Sequence, residues 1–212
     1  MDEKWVYEFF IEKGELFLKW FDILERRGML QAEGLARVLK RHGVSEGRIL
    51  DLCCGVGRIA IPLAKLGYRV VGVDISPLYV KKAREKAEEN WVAGKTRFIV
   101  GDARRLKDAV SDEAPFDAVI NVWTSIGYFE MEDDIEMFRQ AREVTRDGGL
   151  LVIADTACKE SFIKTRSRLK EVSVTDFGNV IAVEKSIYNP LNSRIETRFT
   201  YYERIESPQI HR

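Results

Sequence analysis

Cysteine is scarce in this chain: three residues in 212, two of them adjacent (Cys53 and Cys54) and the third at Cys158, with no C-x-x-C pair. An odd count without paired spacing excludes a disulfide framework and offers no zinc site, so the three read as reduced, packed thiols and no metal is expected. Histidine is rarer still, with only His42 and His211. His42 falls at a helix end, where a structural role is expected. Neither sign of charge is in excess, 34 basic residues facing 34 acidic ones, so the electrostatic footprint of a nucleic-acid or anionic-membrane binder is missing and neither partner is expected. No apolar run approaches the roughly 20 residues of a bilayer span. The start, Met1-Asp2-Glu3-Lys4, lacks the cationic and apolar regions of a secretory signal, and a cytoplasmic location is expected. Glutamine occurs only at positions 31, 140 and 209, against abundant Lys, Arg and Glu, a bias shared with proteins of thermophilic sources.

At this length a single domain burying roughly 70% of its unfolded surface is expected. From residue 48 onward β-rich runs alternate with helical stretches: Arg48 to Leu52, Arg69 to Val73, Arg97 to Val100, Phe116 to Trp123 and Gly149 to Ala154. That alternation is the sequence form of a parallel sheet with helices on both faces. The clearest helix has Ser76 as N-cap and Pro77 at its first position, continues from Leu78 to Val92 and stops at Gly94. Within it Lys81 pairs with Glu85, and Arg84 with Glu88, at the four-residue spacing of a solvated face.

Ahead of the first strand, residues 2–43 read as two helices, one carrying Trp5, Phe9, Leu16, Trp20 and Leu24, the other running from Leu30 to His42, with Gly28 and Gly43 as stops. Their apolar stripe must be buried, and the ligand-binding edge of the sheet is available. Residues 1–44 are therefore read as a helical lid over an α/β core at 45–157. After residue 155 the runs Glu171 to Phe177, Val180 to Tyr188 and Arg194 to Ile205 alternate with period two, which predicts antiparallel strands joined by short turns. In the last run Ile195, Phe199, Tyr201 and Ile205 share a face opposite Glu196, Arg198 and Arg204. The fold class expected is α/β: a doubly wound, mostly parallel, Rossmann-like sheet with N-terminal helices and a C-terminal antiparallel β segment, 158–212, covering the substrate.

Chemistry concentrates in ILDLCCGVGRIAIPLA (49–64), an apolar strand ending in an acid, then a glycine turn and a helix. Gly55 and Gly57 permit positive φ and close approach of a ligand, and a helix start offers unpaired N–H groups. Nineteen positions beyond Gly55, Asp74 closes the second strand. In doubly wound folds an acid there accepts both ribose hydroxyls of an adenosine-type ligand, because a carboxylate takes two hydrogen bonds side by side. GVGRIA (55–60) also fits the relaxed dinucleotide fingerprint, so other residues must choose the cofactor. Asp51 ahead of the turn would repel a pyrophosphate but pair with a cationic amino-acid end. Asp102, ending FIVGD (98–102), can accept from an adenine amino group. The Tyr-x-x-x-Lys pair of one large class of nicotinamide reductases is missing, and the fourth strand ends in Asn121-Val122-Trp123.

Over roughly residues 45–155 these features resemble the class I S-adenosylmethionine-dependent methyltransferases. DLCCGVG (51–57) is similar to that family's glycine-rich first motif, Asp74 to its ribose-binding acid, GDA (101–103) to its adenine-contacting motif and DGGLLVI (147–153) to its fifth strand. Cys53 stands where the family more often has glycine. The resemblance implies S-adenosyl-L-methionine as cofactor and S-adenosyl-L-homocysteine as product. It places Asp51 and the backbone around Gly55 and Gly57 at the methionine portion, Asp74 at the ribose, Asp102 with Ala103 at the adenine, and Asn121 and Val122 near the sulfonium; Cys53, Arg58 and Ile75 complete the cofactor set. The reaction implied is an in-line displacement that needs alignment and dryness more than acid–base help. A base serves only an acceptor that arrives protonated, and Tyr128 and Asp155 are the candidates for it.

Absences narrow the acceptor. There is no Asn-Pro-Pro-Tyr to position a planar amino group, residues 121–124 being Asn-Val-Trp-Thr, and no Pro-Cys pair for cytosine C5 chemistry. Asp155 alone is thin support for a metal-dependent catechol site. A small-molecule acceptor is favoured, in an apolar pocket formed by Trp123, Tyr128 and Phe129 beneath the aromatic-rich residues 5–21. An RNA or protein acceptor, an NAD(P)-dependent oxidoreductase and a non-catalytic cofactor-binding protein stay open as alternatives. The C-terminal part departs from the family, which completes its sheet beside strand five with a helix and a reversed strand pair. An unpaired edge there predicts a homodimer or an added strand.

Overall fold

The computed structural model describes residues 4–156, 172–189, 191 and 194–204; Cys158, Ile205 and His211 lie outside the described residues. Contacts divide the chain into two units, Met1–Thr156 and Ala157–Arg212.

In the first unit β1 (Arg48–Leu52), β2 (Arg69–Asp74), β3 (Thr96–Val100), β4 (Phe116–Val122) and β5 (Thr145–Ala154) form a parallel sheet in the order β3-β2-β1-β4-β5. The side chains of β1, β2 and β4 alternate between two buried layers. Ile49, Val70, Ala118 and Ile120 enter one, and Leu50, Leu52, Val71, Val73 and Val119 enter the other. Burial on both faces is why these strands read as nearly continuous apolar runs. The helices are α1 (Lys4–Tyr7), α2 (Gly14–Glu25), α3 (Gly28–Arg41), α4 (Ala60–Lys65), α5 (Pro77–Glu89), α6 (Leu106–Ala109) and α7 (Met131–Glu143). Leu39 of α3, Leu63 of α4 and Val80 of α5 pack into the first layer, while Leu106 of α6 and Met137 of α7 pack into the second. The direction of winding reverses between β1 and β4, so a crevice opens outside the carboxyl ends of these strands.

Several boundaries differ from the sequence reading, each for a local reason. Strand β5 begins at Thr145 rather than Gly149, because Phe116 pairs with Thr145 while Ala118 pairs with Leu150, and the extra residues form a bulge. Helix α5 has the expected cap, Ser76 Oγ accepting from the Tyr79 N–H at 3.4 Å. It ends at Glu89, and Trp91 rather than Gly94 takes the positive φ, 60°. Lys81 lies 3.9 Å from Glu85. Arg84, expected to pair with Glu88, instead donates to the Phe98 carbonyl at 2.6 and 3.1 Å and ties α5 to β3. The first N-terminal helix is three pieces, α1, a π-helical turn at Glu8–Glu12 and α2. Gly28 starts α3 instead of stopping its predecessor, since a Cβ there would fall 2.6 Å from the Arg58 carbonyl oxygen. His42 caps the end of α3. Among the described residues no strand pairs with the outer edge of β5, so the expected added strand is not found there.

The second unit is an antiparallel sheet of β6 (Val172–Asp176), β7 (Val180–Asn189) and β8 (Arg194–Glu203) in sequence order. Its first turn closes with the Phe177 N–H on the Val180 carbonyl (2.9 Å) and the Gly178 N–H on Asp176 Oδ1 (2.8 Å). Phe199 and Tyr201 stack with ring centres 6.4 Å apart, on one face as alternation requires.

Gly72 in β2 leaves room for the Phe98 ring and the Cys54 thiol, both 2.7 Å from where a Cβ would sit. Gly72→Ala is expected to destabilise the chain by about 1–3 kcal/mol through overpacking. Urea unfolding checks this; an unchanged midpoint contradicts it.

Candidate active site

Asp74 is the last residue of β2 and is buried. Its Oδ2 accepts the Gly55 N–H at 2.8 Å and its Oδ1 the Ser76 N–H at 2.9 Å, so one carboxylate fixes both the glycine turn and the start of α5. Burial still pushes it up to about 6, against those two bonds. Each oxygen keeps a second lone pair for a further donor.

The turn itself is closed by the Cys54 N–H on the Val73 carbonyl (3.1 Å) and the Gly57 N–H on the Cys54 carbonyl (3.0 Å). Both glycine N–H groups are thus spent inside the protein and give no backbone grip on a ligand. Gly57 faces the core, where a Cβ would lie 3.0 Å from Phe98 and 3.1 Å from Ile61. Gly55 borders the crevice, directly beneath the Phe21 ring. Cys53 adopts φ 57°, a left-handed conformation that glycine takes without steric cost.

A cleft of about 830 Å³, counting its open mouth, runs along the strand ends. Gly55, Asp74, Ile75, Asp102 and Ala103 line one side, and Val6, Phe10, Phe17 and Phe21 of the N-terminal helices close over it. Trp123, Tyr128 and Phe129 line it too. Phe17 stacks on Trp123 with ring centres 6.0 Å apart, and Phe10 on Tyr128 at 5.3 Å. A smaller cavity of about 290 Å³ is lined by Asp51 and Arg58 and shares Phe21, Cys53, Val122 and Trp123 with the cleft.

Asp51 is 2% exposed, and its Oδ2 has no hydrogen-bond partner among the described residues. Burial pushes this carboxyl up to about 7, with Arg58 opposing and Asp74 adding to the rise. Asp102 is partly buried, which alone would raise it, but the bonds from Arg104 hold it below the usual carboxylate range. Arg104 clasps it through Nε (3.1 Å to each oxygen) and Nη2 (2.8 Å). The same guanidinium lies 4.0 Å over the Phe129 ring and 3.6 Å from Asp133. Sequence reasoning missed Arg104, whose only signal is its place directly after GDA. Burial pushes Cys53 up to about 12, so it remains a thiol.

Two expected residues, Asn121 and Asp155, sit elsewhere than foreseen. Asn121 lines neither cavity; its amide donates to the Leu52 carbonyl (3.2 Å) and Ser125 Oγ (2.8 Å), bracing β4 against β1. Asp155 also lines neither cavity and accepts a hydrogen bond from Gln31, so it is not placed to take a proton from an acceptor in the cleft. Tyr128 does face the cleft, bonded to Thr124 (2.9 Å), but burial pushes it up to about 12. It keeps its proton at neutral pH.

Parallel strands, a glycine turn and buried acids at successive strand ends define a doubly wound domain built for a nucleoside. Residues 49–149 match the family model described as a methyltransferase domain. A Bacillus subtilis protein named "Putative methyltransferase YqeM" is 33% identical over 108 residues, 50% of this chain and 41% of that protein; the chain spans about half or less of the curated relatives it matches. The crystal structure of the PH0226 protein from Pyrococcus horikoshii OT3 is similar at 30% identity and TM-score 0.56, covering 72% of this chain and 69% of that one. A Clostridium acetobutylicum S-adenosylmethionine-dependent methyltransferase shares the fold at 16% identity and TM-score 0.65, over 82% of this chain and 67% of that one. Residues 49–149 thus carry a methyltransferase domain, on the fold of an S-adenosylmethionine-dependent methyltransferase.

The raised values of Asp51 and Asp74 set a pH dependence. A carboxyl whose folded value lies above its unfolded one holds its proton more tightly in the fold. It therefore favours the fold below about pH 4, and that contribution is lost as pH rises to about 7. Asp51→Asn removes its share, so the stability lost between about pH 4.5 and about pH 7.5 is expected to be smaller than in the wild type. Urea unfolding at both pH values measures this, and equal losses contradict it.

Proposed function

We propose that this chain transfers the methyl group of S-adenosylmethionine to a small-molecule acceptor by in-line displacement. The observation carrying this reading is the pair of adjoining cavities lined by acids from consecutive strand ends, Asp51 in the smaller and Asp74 and Asp102, beside Gly55, in the larger. Asp51, buried with an unpartnered oxygen, suits a ligand ammonium. Asp74 takes ribose hydroxyls on its remaining lone pairs, and Ile75, Asp102 and Ala103 border the adenine. When bound, the cofactor supplies a methyl group on a positively charged sulfur, already a good leaving group.

The protein's contribution is alignment and exclusion of water. Phe10, Phe17, Trp123 and Tyr128 make an apolar wall, which fits a compact, partly apolar acceptor. Tyr128, protonated and bonded to Thr124, orients that acceptor without deprotonating it. Thermal shift tests the assignment: S-adenosylhomocysteine is expected to raise the melting temperature and NAD to leave it unchanged. The reverse result supports a nicotinamide oxidoreductase, and binding without turnover on any acceptor supports a non-catalytic binding protein.

Asp74→Asn retains the shape of the site but only one acceptor oxygen, already needed by the turn. Binding of S-adenosylhomocysteine is expected to weaken by about 1–3 kcal/mol, about 5- to 150-fold. An unchanged dissociation constant in calorimetry removes Asp74 from the ribose site.

A further inference from the structure

Arg58 follows the glycine turn, yet it is only 7% exposed. A guanidinium is driven out of such a place unless charges and hydrogen bonds hold it. Two carboxylates supply the attraction, Asp51 first and Asp155 second. The link to Asp155 passes through Gln31: Arg58 Nη1 donates to Gln31 Oε1, and Gln31 Nε2 donates to Asp155 Oδ2. A side-chain amide suits this place because one end accepts while the other donates. A glutamate there would pair with Arg58 but repel Asp155.

Three distant segments are built to meet here. Gly28 lets the start of α3 press against Arg58, its missing Cβ lying 2.6 Å from the Arg58 carbonyl oxygen and 3.2 Å from Cγ. That seats Gln31 one turn further along the helix. Asp155, just beyond β5, adopts φ 52°, a conformation aspartate tolerates better than most residues. Arg58 in turn lines the smaller cavity beside Asp51 and its unpartnered oxygen. An acid and a guanidinium lining one small cavity match the two ends of a zwitterionic amino acid.

We propose that Gln31 and Asp155 are positioning residues that hold Arg58 for the α-carboxylate of the cofactor's amino-acid tail, so that the site selects nucleosides carrying that tail intact. This rests on the function proposed above. Neither Gln31 nor Asp155 lines a cavity; they act through Arg58.

Calorimetric titration of the full chain with S-adenosylhomocysteine and with 5′-methylthioadenosine, the same thionucleoside without the amino-acid tail, tests the idea. The wild type is expected to bind S-adenosylhomocysteine more tightly. Gln31→Leu is expected to weaken that binding about tenfold, the scale of one charge-assisted hydrogen bond, while leaving methylthioadenosine binding unchanged. Asp155→Asn, which keeps an acceptor for Gln31, is expected to lose less than Asp155→Ala. An unchanged ratio between the two nucleosides in Gln31→Leu overturns the proposal, as does equal weakening of both, which marks a merely structural role. A wild type that binds neither nucleoside overturns the functional reading along with it.

Discussion

One carboxylate organises this site. Asp74 gives one oxygen to the Gly55 N–H and the other to the Ser76 N–H, so the glycine turn, the end of β2 and the start of α5 are fixed relative to one another by a single side chain. Charge-assisted hydrogen bonds are short and strong, but two of them do not repay the removal of a carboxylate from water. The shortfall is visible in a carboxyl pushed up to about 6. Asp51 carries a larger one, at about 7 with an oxygen left unpartnered. Both acids thus await donors that the fold does not provide. In the function proposed above, a nucleoside bringing two hydroxyls and an ammonium supplies those donors, and its binding and the chain's electrostatics become two sides of one balance.

The aromatic cover strengthens that balance. Phe17 on Trp123 and Phe10 on Tyr128 displace water from the strand ends, and Coulomb interactions grow as the local dielectric falls. Displacement at carbon needs little acid–base help once nucleophile, carbon and leaving group are aligned in a dry cavity. A tyrosine held protonated and a clasped aspartate are consistent with a site that orients more than it titrates.

What could be read from the sequence follows from how far each feature reaches. Strands β1, β2 and β4 were legible because burial on both faces forces short apolar runs, and Asp51, Asp74 and Asp102 because acids ending such runs are conspicuous. Ser76 and Pro77 marked a helix start by chemistry local to four residues. Legibility failed where distant segments meet. Gly28 read as a stop, because nothing near it discloses that the backbone of Arg58 will lie against it. Gly57 read as a ligand contact, though its φ serves packing against Phe98. Asn121 sits at the predicted strand end, but its amide nitrogen is taken by Leu52 and Ser125. Gln31 and Asp155 lie 124 residues apart, and only the folded chain joins them.

Convergence of buried carboxylates on one nucleoside is tested most directly by carbon-13 NMR of the aspartate carboxyls through a pH titration, with and without S-adenosylhomocysteine. In the free protein Asp51 should titrate near 7, and saturation with the nucleoside should bring it down by at least about one pH unit as an ammonium pairs with it. An Asp51 resonance that titrates identically with the nucleoside bound contradicts the account.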